Sequence, residues 1–167
     1  HFIAGDKDGN VFFDSDQSLI RYDIQTQKFS CLRKSNVYTV ASIKGTIWVG
    51  IADSILTWNP DKNDFDFVTR LENRNQRATC LLEDSGGRYW IGTTDGLFRM
   101  NDDKSLTCMI MGEDIYDLYE DSKYNLWISI RMNGMYKRDV HGNFTRYRYD
   151  PSNPNNISSN QVRDFVE

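Results

Sequence analysis

The sequence predicts an all-β protein that is built from tandem copies of one four-stranded antiparallel unit. Three observations carry this prediction. An aromatic-centred motif recurs roughly every 40 residues. Short β-branched and aromatic runs alternate with Gly, Asp, Asn and Pro, which favour turns. No segment keeps a helical hydrophobic period over several turns.

The repeats align on one aromatic position, occupied in turn by Phe12, Trp48, Trp90 and Trp127. A period of about 40 residues is typical of propeller blades. We therefore expect a β-propeller fragment with four four-stranded antiparallel blades, followed by the first strand of a fifth. The predicted blades span residues 1–33, 37–71, 78–111 and 115–150, and the fifth-blade strand spans 162–167.

The third repeat shows the strand order most clearly, and we label its strands a to d from first to last. Gly96 suits the b–c hairpin, because a tight hairpin needs a positive φ. A Trp-x-Gly pair recurs in strand b at Trp48/Gly50 and Trp90/Gly92. We expect the glycine to make room for the packing of a neighbouring blade.

Charge and composition exclude several classes of protein. The chain has 167 residues and a net charge of −4, which argues against a nucleic-acid surface because such a surface needs a basic field. No apolar run reaches the roughly 18 residues of a membrane span. The N-terminal residues resemble the middle of a strand and not a signal peptide, so we expect the chain to begin inside a longer protein.

The three cysteines do not form a disulfide framework in the predicted register. Cys80 falls on innermost strand a and Cys108 on outermost strand d of the same blade, while Cys31 falls on a d strand two blades away. Three strand spacings of about 4.8 Å exceed the separation that a disulfide tolerates. We predict three free and mostly buried thiols.

Catalytic and metal-binding patterns are weak in this sequence. His1 and His141 are far apart and have no Cys or carboxylate at zinc-ligand spacing. Residues 6–10 resemble part of a calcium loop but lack its terminal Glu, so an ordinary a–b turn is the better interpretation. We expect no cofactor, no metal and no enzymatic activity in this segment.

Two segments resemble a known repeat family. Residues 83–99 read Glu-Asp-Ser-x-x-x-x-Trp-Ile-Gly-Thr-x-x-Gly-Leu-x-Arg, and residues 144–162 resemble the connection from one such blade to the next. Both are similar to the two-component-regulator propeller repeat. The sequence departs from that pattern at Phe12, Tyr124 and Ser129, which stand where the repeat has Trp, a turn Gly and Gly.

The resemblance implies a place and a role. In that family the blades form the periplasmic sensor region of hybrid two-component histidine kinases, which are inner-membrane proteins, and many members sense oligosaccharides. This implies an oligosaccharide ligand, further blades of the parent chain as partners and a kinase elsewhere in that chain. It implies no nucleic acid and no membrane contact by these residues.

The candidate ligand-binding residues lie on the loops that join strands d to a and strands b to c, which share one face of a propeller. These loops are rich in side chains that can chelate sugar hydroxyls, and Arg can hold a carboxylate or sulfate bidentately. The predicted residues are Arg131, Asn133, Arg74, Arg77, Asp95 and Asp53.

Two other functions stay open at this point. The propeller could serve only protein–protein contacts, such as formation of a homodimer. Alternatively, the a–b turn at residues 83–90 loosely resembles the Asp-box of sialidases, which predicts a glycosidase. That enzyme needs an arginine cluster and a Tyr/Glu nucleophile pair at the ring centre, and four blades do not reveal either.

Overall fold

The computed structural model describes residues 2–73 and 75–167, and these residues form four antiparallel four-stranded sheets. Blade one contains β1 (Ile3–Gly5), β2 (Val11–Ser15), β3 (Ser18–Asp23) and β4 (Lys28–Lys34). Blade two contains β5 (Val37–Ile43), β6 (Thr46–Ile51), β7 (Ser54–Asn59) and β8 (Asp64–Arg70). Blade three contains β9 (Ala78–Glu83), β10 (Tyr89–Thr93), β11 (Gly96–Met100) and β12 (Leu106–Met111). Blade four contains β13 (Ile115–Glu120), β14 (Leu126–Ile130), β15 (Gly134–Arg138) and β16 (Phe144–Tyr147).

Each sheet is a simple meander in which every strand pairs with the next one along the chain. The first strands of successive blades lie side by side, β1 against β5, β5 against β9 and β9 against β13. Successive sheets therefore pack face to face around a common axis, with the first strand of each blade innermost. This arrangement confirms the predicted β-propeller architecture.

The core consists of three apolar clusters, one between each pair of neighbouring blades. The repeated aromatic position of strand b faces the next blade in every case. Phe12 packs edge-on against Trp58 of blade two at 5.3 Å, and Trp48 stacks on Tyr89 of blade three at 5.0 Å. Trp90 is 1 % exposed between blades three and four. Blade stability therefore depends on contacts with the neighbours, as in other repeat proteins.

The glycine of the Trp-x-Gly pair has the packing role expected from the sequence. A Cβ atom on Gly50 would lie 2.9 Å from Ala78 Cβ, which opens the first strand of the next blade. A Cβ atom on Gly92 would lie 2.7 Å from Ile115 Cγ2, again on the next blade. Real Cβ atoms do not approach neighbours this closely, so glycine lets successive innermost strands come together.

A carboxylate after strand a organises the a–b turn and holds the tryptophan. Asp84 accepts hydrogen bonds from Trp90 Nε1 at 2.8 Å and from the backbone N–H and Nε of Arg88. Asp121 accepts the equivalent bond from Trp127 Nε1 at 2.8 Å. In blade one Asp6 accepts from the backbone N–H of Asn10, which confirms the a–b turn interpretation of residues 6–10.

Protonation of Asp121 at acid pH is expected to lower the stability of blade four. Burial alone raises the pKa of this carboxyl, but hydrogen bonds from Asn125, Trp127 and Lys123 outweigh it and lower the pKa to about 2. The stabilisation is complete above the unfolded carboxyl pKa, near 4, and is lost as pH falls from about 4 to about 2.

The variant Asp121→Asn tests this dependence. In urea titrations between pH 7 and pH 2, the difference in unfolding free energy between wild type and variant should be constant above pH 5. It should then shrink as the pH approaches 2. A difference that stays unchanged down to pH 2 would contradict the assignment.

One departure from the repeat pattern keeps the backbone geometry of the glycine that it replaces. Tyr124 stands where blade three has Gly87, and both adopt a positive φ, 64° and 76° respectively. A non-glycine residue is strained in this region. The Tyr124 side chain is exposed, so nothing in the core requires this residue.

Residues 162–167 supply the first strand of a fifth blade by their position. They form no β-ladder with the rest of the described chain. Glu120, at the end of β13, accepts hydrogen bonds from the backbone N–H and Oγ of Ser85 in the preceding blade, at 2.7 and 2.9 Å. Glu167 accepts the same two bonds from Ser122 of blade four. The carboxylate at the end of each of these first strands thus clamps the a–b turn of the blade before it.

The cysteines are free, as predicted, but the expected burial is wrong for two of them. Cys31 and Cys108 lie on β4 and β12, where the outermost strand leaves its edge and part of its face in solvent. Cys80 lies on innermost β9 and is buried, and this burial raises the pKa of its thiol to about 12.

No helix among residues 2–73 and 75–167 combines the length and hydropathy that crossing a bilayer requires.

Candidate functional site

A cleft of about 680 Å³ opens where the first strands of blades two, three and four converge. We call it the inter-blade cleft. Its floor is formed by β5, β9 and β13, and its rim by a d–a loop and two b–c hairpins. The polar and aromatic side chains that line it include Tyr38, Arg77, Thr94, Tyr116, Asp117 and Arg131.

Arg77 closes one end of the cleft and is held by several contacts. Its guanidinium carbon lies 5.0 Å from the centre of the Tyr38 ring in the preceding blade. Its Nη1 donates to the carbonyl of Gln76 at 2.9 Å. Its backbone is tied to Thr94 of the b–c hairpin, because each residue donates its backbone N–H to an oxygen of the other. This Arg therefore bridges blades two and three in a fixed position.

Arg131 closes the other end. Its Nε donates to Asp114 Oδ2 at 2.8 Å, and its guanidinium carbon lies 4.9 Å from the centre of the Tyr116 ring. Its backbone N–H donates to the carbonyl of Asp114 at 2.8 Å. The two ends of the cleft thus have the same arrangement. At each end an arginine guanidinium stacks on a tyrosine ring, and that tyrosine is the second residue of a strand a. Such cation–π contacts orient the guanidinium as well as stabilise it.

Asp117 lies on the floor between the two arginine–tyrosine pairs. Its partner in the β13–β14 ladder is Ser129, at the position where blade three has Gly92. Burial raises the pKa of the Asp117 carboxyl, the backbone N–H of Leu118 opposes this shift, and the negative charge of Asp164 adds to it. The cleft therefore combines a basic rim with a carboxyl that is partly shielded from water.

The structure brings together two of the six residues predicted from the sequence, Arg77 and Arg131. Asn133 instead donates to Glu113 Oε2 at 2.8 Å and accepts a hydrogen bond from Arg148. Both polar atoms of this amide are therefore engaged by residues of blade four, and Asn133 is not among the residues that line the inter-blade cleft.

The two predicted hairpin aspartates make local contacts instead, Asp53 through its carboxylate and Asp95 through its backbone N–H. Asp53 lies 3.6 Å from Arg70 Nε and accepts a bond from Ser54, and Asp95 donates its backbone N–H to Thr93 Oγ1. Neither lines the inter-blade cleft among the described residues. Arg74 lies outside the described residues. The role of all six in ligand binding stays a prediction.

Sequence reasoning missed Tyr38, Tyr116 and Asp117. The signal was available in the alignment of first strands, where Tyr38 and Tyr116 occupy one position and Asp117 occupies the next. Blade three has Thr79 and Cys80 at these positions. The aromatic and acidic residues at these positions distinguish the first strands of blades two and four from that of blade three, which has small residues there.

The arrangement suits binding more than chemistry. Aromatic faces, fixed guanidinium groups and hydroxyls can hold a polar ring compound by stacking and by hydrogen bonds. Within the described part of the chain, no group of three His, Cys, Asp or Glu side chains is placed to hold a metal ion.

Comparison with a family model identifies one repeat directly. Residues 74–95 match the two component regulator propeller, which confirms the resemblance seen in the sequence for this part of the chain. The match ends at the b–c hairpin of blade three and contains Arg77 and Thr94 of the inter-blade cleft. A comparison with curated protein sequences gives no significant match.

Solved structures share the fold at low sequence identity. The extracellular domain assigned to a hybrid two component system of B. thetaiotaomicron superposes with a TM-score of 0.80 at 20 % identity, over 96 % of this chain and 23 % of the other. A second such domain from the same organism gives 0.78 at 19 %, over 99 % and 24 %. Virginiamycin B lyase from Staphylococcus aureus gives 0.71 at 16 %, over 90 % and 56 %. The chain spans about a quarter of the two B. thetaiotaomicron domains, and these similarities establish the propeller fold.

Proposed function

We propose, from the two-component-regulator propeller repeat and the inter-blade cleft, that these blades belong to the extracytoplasmic ligand-sensing region of a hybrid two-component histidine kinase. In this proposal the blades lie in the periplasm as part of an inner-membrane protein, and the kinase is elsewhere in the parent chain. The ligand is an oligosaccharide, and its recognition regulates genes for glycan use. The observation that carries the proposal is the pair of arginine–tyrosine stacks at the two ends of one cleft.

The chemistry of the cleft fits a saccharide. A sugar ring presents apolar C–H faces to aromatic side chains and hydroxyls to hydrogen-bonding groups. Tyr38 and Tyr116 provide aromatic surface on two different blades, while Arg77, Arg131 and Thr94 provide polar groups around them. The volume of about 680 Å³ lies within the range of small-ligand sites.

The position of the cleft also fits a sensor. Most of its lining comes from three blades, and one of its arginines already bridges two of them. A ligand seated there would contact all three blades at once. Its binding energy would therefore favour one relative arrangement of the blades, which is the kind of difference that a signalling domain can detect.

Ligand-dependent thermal stabilisation tests the proposal. The intact extracytoplasmic region would be screened against neutral and acidic oligosaccharides, because a ligand that binds only the folded state raises the melting midpoint. Tyr38→Ala and Tyr116→Ala should each weaken a hit by roughly 10-fold, since they remove a stacking surface. Tyr124→Ala is the matched control, because this exposed tyrosine lies on an a–b turn outside the cleft. A hit that none of the three variants affects would move the ligand site away from these blades.

A second function, protein contact, is favoured by one observation. Phe13, Tyr22 and Phe29 form an aromatic cluster on blade one, with ring centres 4.9 to 6.2 Å apart, and Phe29 is 68 % exposed. Such a patch suits association with further blades or with a second copy. No stabilisation by any glycan, together with concentration-dependent association in light scattering, would favour this alternative.

A further inference from the structure

A second pocket adjoins the inter-blade cleft and shares two of its residues. It has a volume of about 320 Å³, and we call it the side pocket. The residues that line it are Tyr116, Arg131, Met132, Gln161, Val162 and Arg163. Since Tyr116 and Arg131 line both spaces, a ligand in the cleft can extend one substituent into the side pocket.

Arg131 presents its unused donors in a fixed orientation. Asp114 takes the Nε–H and the Tyr116 ring lies under the guanidinium plane, so the group is held at two points. Nη1 and Nη2 of Arg131 have no acceptor within residues 2–73 and 75–167, and the side chain is 51 % exposed. Terminal guanidinium nitrogens in a fixed fork match the two oxygens of a carboxylate or sulfate.

Arg163 adds a second cation at the same place. It occupies, on the fifth-blade strand, the position that Tyr116 holds on β13. Its side chain forms no hydrogen bond or ion pair with any described residue. Asp164, the neighbouring acid, acts on the carboxyl of Asp117 on the floor of the inter-blade cleft.

The charge balance of the side pocket is therefore positive. The described residues that line it include two arginines and no Asp or Glu. One carboxylate, Asp114, is bonded to Arg131 from outside this lining. Two guanidinium groups that face one small pocket repel each other until an anion enters, so the site favours a negative charge.

We infer that the side pocket binds the anionic group, a carboxylate or a sulfate, of an acidic saccharide whose ring lies in the inter-blade cleft. This inference rests on the proposed function, and it narrows the ligand from oligosaccharides in general to acidic ones. Arg131 and Arg163 hold the anion, and Tyr116 separates it from the stacked ring.

Ligand pairs that share their sugar rings and differ in charge test the inference on the intact extracytoplasmic region. Calorimetric titrations would compare galacturonic acid oligomers with their methyl esters, and sulfated with desulfated keratan oligosaccharides, whose disaccharide carries no uronic acid. Each pair keeps the ring and changes the charge, and the two pairs decide between carboxylate and sulfate. We expect one acidic member to bind about 10- to 100-fold more tightly than its neutral partner.

Arg163→Gln is the main variant, because this side chain has no partner whose loss would disturb folding. It should weaken binding of the acidic ligand about 10-fold or more and leave the neutral partner unchanged. Arg131→Gln should do the same. Lys123→Gln, on an a–b turn outside both pockets, is the matched control and should change neither. A higher salt concentration should weaken the binding of the acidic ligand and leave the binding of its neutral partner unchanged.

The outcomes separate the two levels of the proposal. Equal binding of both members of each pair, with loss on Tyr38→Ala, would overturn the acidic inference and keep the saccharide sensor. An acidic ligand that Arg163→Gln does not affect would overturn the assignment of the side pocket. No binding by any of the four ligand types or by the wider panel would overturn both.

Discussion

Replacing Gly92 with alanine is expected to destabilise the chain by about 3 kcal/mol, at the upper end of the cost of overpacking a core. The added Cβ would overlap Cys80 Sγ and would lie 2.7 Å from Ile115 Cγ2. Cys80 is buried and Ile115 is fully buried, so neither can move into solvent. The substitution therefore pushes β13 away from β9 and β10, at the seam between blades three and four.

Equilibrium denaturation by urea would measure this effect. The control is Gly5→Ala, because the nearest atom to a Cβ there is Asn10 O at 3.8 Å, an ordinary contact. It should change the unfolding free energy by less than about 1 kcal/mol. Cys80→Ala should restore part of the loss in the Gly92→Ala background, since it removes one of the two overlapping atoms. Equal effects of Gly92→Ala and Gly5→Ala would show that the seam is not tightly packed.

Asp84→Ala is expected to cost about 3 kcal/mol as well. This carboxylate is 4 % exposed and accepts bonds from Trp90 Nε1, Arg88 Nε and the Arg88 backbone N–H. Removing it leaves the indole N–H of a fully packed tryptophan without its acceptor. Loss of one partner from a buried, charge-assisted group is among the more costly single changes.

A double-mutant cycle with Trp90→Phe isolates the indole contribution. Phe lacks the N–H, so the cost of Asp84→Ala should be smaller in that background. Asp102→Ala is the control, because this exposed carboxylate lies in the c–d turn of the same blade and is expected to change the stability by less than about 0.5 kcal/mol. If Asp84→Ala costs no more than Asp102→Ala, the turn carboxylate does not hold the tryptophan.

The strand order followed from sequence because local chemistry repeats in every blade. The turn residues, the Trp-x-Gly pair and the apolar strands lie within about ten residues of one another. A single copy of the repeat therefore contains enough information to predict its strands and turns. Even the exception at Tyr124 obeys the rule, since the turn keeps its positive φ without glycine.

The candidate site depends on contacts that the repeat does not encode. Arg77 was predicted from its loop, but its tyrosine lies 39 residues earlier, on another blade. Asn133 was predicted from a b–c hairpin on the same face, but its amide is bonded to Glu113 and Arg148. Which loop residues face a cleft is set by the convergence of the innermost strands, a property of several blades together. The cysteines show the same limit, because burial on strand d depends on how far a neighbouring blade reaches.

The clamp between a strand-a glutamate and the preceding a–b turn has a consequence for synthesis of the chain. Each turn obtains its acceptor from a residue further along, 35 positions for Ser85 and 45 for Ser122. At about 5–20 residues per second, the ribosome delivers that glutamate roughly 2 to 9 seconds after the serine. A newly synthesised blade therefore lacks this clamp until the first strand of the next blade has been made. The clamps consequently form in order from the N-terminal end of the chain.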